Sequence, residues 1–469
     1  MKPSNTLTFA SALAVWVALF TVSLQPNAIA SGGEHGKGKV TFTRDIAPIL
    51  NANCVSCHRQ GEIAPFSLGR YADVRKRAKQ VLEVTESRFM PPWHAESNGE
   101  FVDEHRLSPD QISTIKTWVS LGTPEGSRTD MPAPPVFPKD WSLGKPDMVV
   151  EASAPYTMAA EGGDVYRCFV LPTSLPEDRY VAAIEVHPGN NRIVHHVIAY
   201  LDSRGQARKL EQKMSDGQPG YVAHGGLGIM PTGALGGWAP GNLPHLLPDG
   251  VGSELEKGVD IVLQIHYHAS GKQEKDQTKL GIYFTKTAVD KRLRILPVFA
   301  PLNIPAGASN YTTSGISILP FGNDVSILEV MPHMHLLGKE MTVSAELPDK
   351  SVKRLVHVPE WDFNWQMNYM YKQPVKLPIS SRVTLTARYD NSAANPHNPN
   401  SPPKPVYWGE QTTDEMCIAF LWYTVDSEHL TQGKPVKDIL DLLGGLGRGG
   451  GGTGGLRKLR QNAGPSSGS

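Results

Sequence analysis

The pentapeptide Cys54-Val55-Ser56-Cys57-His58 narrows what this chain can fold into more than any other stretch. Two thiols three residues apart are the spacing that bonds covalently to the vinyl groups of haem, and the histidine that follows becomes an axial iron ligand. A candidate for the opposite axial position is Met90, in Phe89-Met90-Pro91-Pro92-Trp93; His94 is an alternative that would give a bis-histidine haem. A zinc ribbon would need a second cysteine pair, whereas the remaining cysteines, Cys168 and Cys417, stand singly.

Attachment of such a haem is feasible outside the cytoplasm, and the amino terminus reads accordingly. Lys2 precedes a largely apolar run from Leu7 to Leu24, and Ala28-Ile29-Ala30 is a small-x-small cleavage site, so residues 1–30 are expected to be a signal peptide. No later stretch reaches the ~20 apolar residues of a membrane helix. A soluble periplasmic or secreted protein with no membrane span after cleavage is the expectation. Lysine plus arginine number 46 against 46 aspartate plus glutamate, which gives no reason to expect a nucleic-acid partner.

Residues 31–128 read as helical. Ile46–Leu50 is a short amphipathic stretch before the haem motif, and Tyr71–Thr85 spaces its apolar residues as a helix does. Ser108-Pro109-Asp110 caps a further helix from Gln111 to Leu121. Helix, haem motif, helix, Met-Pro-Pro and final helix resemble a small cytochrome c domain. A proline-rich connector over 129–146 is expected to act as a semi-rigid spacer. Beyond it, short segments rich in branched and aromatic residues, such as Tyr180–Val186, Ile193–Leu201, Val259–Tyr267, Val325–Met331 and Ser381–Tyr389, predict antiparallel sandwiches. Residues 431–469 end in a Gly-rich, basic run and are expected to form a disordered tail.

Four stretches of the β region carry soft or imidazole ligands: His195-His196, Gln264-Ile265-His266-Tyr267, His333-Met334-His335, and Asp414-Glu415-Met416-Cys417. His333 and His335 are two apart, so an extended strand projects both from one face. Adjacent His195 and His196 can share a metal only where a strand ends or bulges. Imidazole with thioether favours copper, above all cuprous copper. Singly, each stretch reads as well as packed or surface side chains.

In this order the four stretches resemble the copper type II, ascorbate-dependent monooxygenases, the family of the peptidylglycine and dopamine hydroxylases; the likeness runs from Tyr166 to Tyr423. The resemblance implies two antiparallel, jelly-roll-like sandwiches, 147–290 and 291–430, each carrying one of two copper ions. His195, His196 and His266 would hold an electron-transfer copper, and His333, His335 and Met416 the copper at which a substrate C–H bond is attacked. Where the peptidylglycine enzymes have an arginine, an asparagine and a tyrosine to grip a peptide carboxylate, this chain has Met331, Ile418 and Phe420. A less charged substrate pocket is expected. The resemblance would pair Cys168 and Cys417 with partners that are missing here, so two unpaired, buried thiols are expected, with a Cys168–Cys417 bridge as the alternative in an oxidising compartment.

The whole reads as an exported monooxygenase acting on a small molecule with O2, its electrons coming from an ascorbate-like reductant or redox protein, with covalently bound haem c as a route. The rival is a haem- and copper-carrying electron-transfer or copper-binding protein without turnover.

Overall fold

The computed structural model describes residues 39–437 apart from 61, 63, 139, 224–225 and 319–322. The expected leader and residues 438–469 of the expected tail lie outside the described residues, whereas 431–437, read as the start of that tail, are held in place, the Val436 carbonyl accepting from Arg292 (2.7 Å) and Arg294 (2.9 Å). Among those described, no helix is long and apolar enough to cross a membrane.

The helical unit has its own core. Phe42 and Ile46, on a single wide turn, pack with Leu50, Val74, Ile115 and Trp118. Helix Pro109–Ser120 starts where its sequence dictates: the Ser108 hydroxyl accepts from the Gln111 amide (3.1 Å), while the Gln111 side chain accepts from the Ser108 amide (2.8 Å). The stretch read as one helix over Tyr71–Thr85 is two, Tyr71–Lys76 and Ala78–Glu86. Arg77 breaks it with φ −114 and ψ 11, and its guanidinium sits 4.3 Å over the Phe66 ring.

After Met90 the chain leaves this unit. Trp93, Ala95 and Phe101 are buried in the core of the C-terminal sandwich, with Trp93 5.1 Å edge-on to Tyr369 and Phe101 5.0 Å from Tyr371. Backbone bonds from Val102 to Met370 and from Lys372 to Glu100, both 2.8 Å, lay the segment along strand Tyr369–Leu377. Residues 93–102 thus form a strap that ties the helical unit to the far sandwich. Nor does the proline-rich connector stand free. Trp141 stacks on His187 (3.9 Å, 19°), and buried Glu185 accepts from the Ser142 amide (2.7 Å), the Ser142 hydroxyl (2.6 Å) and the Leu143 amide (3.2 Å). Gly281 lets this happen, since a Cβ there would lie 2.7 Å from the Trp141 ring.

The N-terminal sandwich packs two five-stranded sheets. One runs in the order Met148–Glu151, Lys279–Phe284, Arg179–His187, Val251–Leu255, Lys291–Arg292; the other Tyr221–Val222, Val165–Pro172, Asp260–Tyr267, Val194–Asp202, Gly233–Trp238. Their shared core includes Val197, Ala199, Ile261, Leu263, Leu280 and Ile282. The C-terminal sandwich packs Arg294–Phe299, Ile418–Val425, Val325–His333 and Tyr369–Leu377 against Tyr311–Ile318, Arg382–Tyr389, Gly338–Glu346 and Val352–Val358. Cys168 and Cys417 are free and buried in separate cores, where burial pushes both thiols up to about 12.

Candidate metal centre

In the N-terminal sandwich, strand Val194–Asp202 pairs with Asp260–Tyr267 so that His196 faces His266, and the register slips between Val194 and His196. The bulge makes His195 the extra residue, and its ring turns to the same side as that of His196. Each of the two ring centroids lies 4.9 Å from that of His266. One ligand atom from each of the three histidines falls within 4.8 Å of the others.

The donor chemistry fits a cation here. The Nδ1 atoms of His195 and His196 are 3.2 Å apart. Either one donates to the other, or both turn lone pairs to a shared metal, which imidazole nitrogens bind at about 2.0–2.1 Å. His266 is 1% exposed and neither ring nitrogen makes a hydrogen bond. Asp164 Oδ2 lies 3.2 Å from its Nε2 as an ion-pair partner, which leaves Nδ1 as the ring nitrogen facing no polar group. A buried ring nitrogen without a partner is costly, and a metal would supply one. Burial first, then neighbouring His266, pushes His195 down to about 3 and His196 well below its ordinary value, so both rings are neutral as ligands must be. Tyr166 stacks on His266 at 4.3 Å and 9°.

In the C-terminal sandwich, His333 ends strand Val325–His333 opposite Ile418. Met416 lies two residues before Ile418, outside the paired strand, where its carbonyl accepts from the Tyr389 hydroxyl (2.7 Å). Glu415 clamps that corner, accepting from the amides of His335 (2.9 Å), Leu337 (2.6 Å) and Met416 (3.2 Å). The rings of His333 and His335 lie 5.2 Å apart at 88°. His333 Nδ1 donates to Gln366 Oε1 (2.7 Å) and His335 Nδ1 to the Asp414 carbonyl (3.2 Å), which leaves Nε2 of each ring as the lone-pair nitrogen. Burial pushes His333 down to about 4 and His335 to about 3. Met331, Ile418 and Phe420 share the sheet face of His333.

In the helical unit, Cys54 and Cys57 are free thiols at the end of helix Ala47–Asn53. His58 Nδ1 donates to the Phe66 carbonyl (3.1 Å), again leaving Nε2 as the lone-pair nitrogen. Such a bond orients a metal-ligating histidine, and the arrangement fits an axial role. The Met90 amide donates to the Val84 carbonyl (2.9 Å), which keeps that residue with the helices. At His94 burial is the largest influence and lowers the pKa, with Asp362 and the Glu360 carbonyl opposing it.

Sequence reasoning missed the residues that orient these rings: Gln366, Asp164 and Phe363. They lie in loops or at strand ends with no periodic signal around them.

Three comparisons bear on the site. Residues 303–435 match the family "Copper type II ascorbate-dependent monooxygenase, C-terminal domain". DBH-like monooxygenase protein 1 of Mus musculus is 23% identical over 309 residues, 59% of this chain and 47% of that protein. Its Homo sapiens counterpart is 23% identical over 301 residues, 58% and 46%. The chain thus spans about half the length of the curated relatives it matches. Among solved structures, PNGase F of Flavobacterium meningosepticum overlaps 59% of this chain and 95% of its own, at 10% identity and a TM-score of 0.29. The region that carries His333, His335 and Met416 is therefore similar to the C-terminal domain of the copper type II, ascorbate-dependent monooxygenases.

Proposed function

We propose that this protein is a copper monooxygenase that hydroxylates a C–H bond of a small, weakly polar molecule with O2. His195, His196 and His266 hold one copper ion, and His333, His335 and Met416 hold a second. The observation that carries the reading is the pair of histidine clusters, one with three buried imidazoles converging within 4.8 Å and the other with both Nε2 atoms freed by Nδ1 bonds. Copper, when bound, supplies one-electron storage at each cluster and activation of O2.

The protein's share of the work is positional. Gln366 and the Asp414 carbonyl fix the two C-terminal rings, and Glu415 holds the backbone of Met416 beside His335. The substrate would lie on the sheet face beside His333, where Met331, Ile418 and Phe420 offer apolar contact and no charge.

In the same proposal Cys54 and Cys57 bind haem c covalently, His58 and Met90 are its axial ligands, and the leader sends the protein to the periplasm or outside the cell. Haem so held would supply one-electron storage, alongside an external donor such as ascorbate. A non-catalytic copper and electron-transfer protein is the rival, favoured by no particular contact.

The test is oxygen uptake by copper-loaded, ascorbate-reduced protein over a panel of neutral and charged small molecules, with isotopic oxygen traced into product. Stimulation by neutral compounds, abolished by Met416→Ile, is the expected result. Copper binding with no substrate-dependent uptake would favour the rival.

A further inference from the structure

The two histidine clusters belong to different sandwiches, yet two loops of the C-terminal sandwich touch both. Phe363 stacks on His195 with centroids 4.8 Å apart at 18°, and stands edge-on to His335 at 5.9 Å and 84°. Both are favoured aromatic geometries. The loop that carries it is pinned on each side. Trp361 donates from its indole to the His335 carbonyl (3.1 Å) and from its amide to the Lys339 carbonyl (2.9 Å). Asn242 of the N-terminal sandwich donates to the Gln366 carbonyl (3.1 Å) and accepts from the Asn368 amide (3.2 Å). Gly241, at φ 93°, lies within ordinary van der Waals reach of the Trp365 ring.

A second crossing lies on the other side. The Thr412 hydroxyl donates to Asp164 Oδ2, the oxygen 3.2 Å from His266 Nε2, while Asp164 Oδ1 accepts from His268 Nδ1 (2.8 Å). Two residues on, the Asp414 carbonyl holds His335. Each cluster therefore has one ring against Phe363 and one link into residues 411–414.

We propose that these two crossings form a bridge that holds the metal positions at one fixed separation, with Phe363 as spacer and Thr412 as latch. The proposal rests on the copper reading of the clusters. Phe363 suits the role because its ring fills the gap without offering a ligand atom. Thr412 suits it because its hydroxyl ties the loop that orients His335 to the carboxylate beside His266. Both are positioning residues. Substrate would then reach His333 along its apolar sheet face and not between the clusters.

Pulsed dipolar EPR on the Cu(II)-loaded full chain reads the separation directly. A single narrow distance is expected for the native protein. Phe363→Ala combined with Thr412→Val should at least double the width of the distribution with copper content unchanged, and Phe363→Tyr should restore it in the Phe363 single variant. Hydrogen exchange on metal-free protein gives a second readout. Residues 361–367 and 411–416 should exchange roughly tenfold faster in Thr412→Val, the loss expected for about one hydrogen bond. A broad native distribution, or a double variant as narrow as native, would overturn the bridge. A native protein that takes up fewer than two coppers would count against the copper reading, and exchange in the metal-free variant would still decide the bridge.

Discussion

Burial pushes His195 and His196 in one cluster and His333 and His335 in the other toward the neutral form, but the clusters differ in how their rings are held. In the N-terminal cluster, three imidazoles converge; the Nδ1 atoms of His195 and His196 meet each other, and His266 Nε2 faces the Asp164 carboxylate. In the C-terminal cluster, each imidazole is fixed from behind by an oxygen acceptor, and the sheet face alongside is apolar. In the proposed reading the first would hold an ion with imidazoles alone. The second holds two rings at set angles beside a surface where a substrate can lie. A storage site needs only the former; a site of chemistry needs both the held rings and the surface.

The comparison can be broken most severely through the strap. Trp93 and Phe101 are 9% and 0% exposed in the C-terminal core. Truncating either to alanine should cost about 3–5 kcal/mol by the usual range for buried aromatics. Denaturation should show the loss in the C-terminal sandwich, and copper binding by His333 and His335 should weaken while the N-terminal cluster keeps its ion. Equal loss at both clusters would show that the strap does not belong to one sandwich.

A sharper cut is Gln366→Leu, which removes the acceptor behind His333 and leaves the ring free to rotate. Cuprous affinity at the C-terminal cluster should fall about 10–100-fold. The N-terminal cluster should be unchanged, as read by competition with a cuprous chelator in a His266→Ala background and its converse.

The smallest effect concerns pH. Glu329 is buried on the strand that leads to His333, and burial pushes its carboxyl up to about 7 against a hydrogen bond from Asn368. Because the folded state holds this proton more tightly than the unfolded chain, its contribution is complete below the ordinary carboxyl range and is lost as pH rises through about 7. Glu329→Gln should flatten the stability of the C-terminal sandwich between roughly pH 5 and 7 by on the order of 1–2 kcal/mol. Chemical denaturation at the two pH values measures it. An unchanged slope would mean that Glu329 is not the group responsible.

What the sequence disclosed follows from the range of its physics. Period two put His333 and His335 on one face, and the serine-to-glutamine spacing at Ser108 and Gln111 announced a capped helix; both are local rules. The strands around His195, His266 and His333 were legible for the same reason. The bulge that turns His195 toward His266 was foreseen as a condition, but nothing local in Val194-His195-His196 forces it; the pairing with Asp260–Tyr267 does. Gln366 is 33 residues from the ring it holds. The strap stayed hidden because Trp93 and Phe101 sit in a stretch with neither helical nor strand periodicity, and their burial depends on Tyr369 and Tyr371, more than 260 residues away. The spacer over 129–146 was read as a separator from its prolines, whereas Trp141 and Ser142 dock it on Glu185 and His187.

The most direct test of the central claim is anaerobic titration of the metal-free protein with Cu(I), for the native chain, His266→Ala and His333→Ala. The account predicts about two ions per chain for the native protein and about one for each variant, the survivor bound by three nitrogens in His333→Ala and by nitrogen with sulfur in His266→Ala, as read by X-ray absorption. Full occupancy retained in either variant, or no sulfur contribution in His266→Ala, would contradict it.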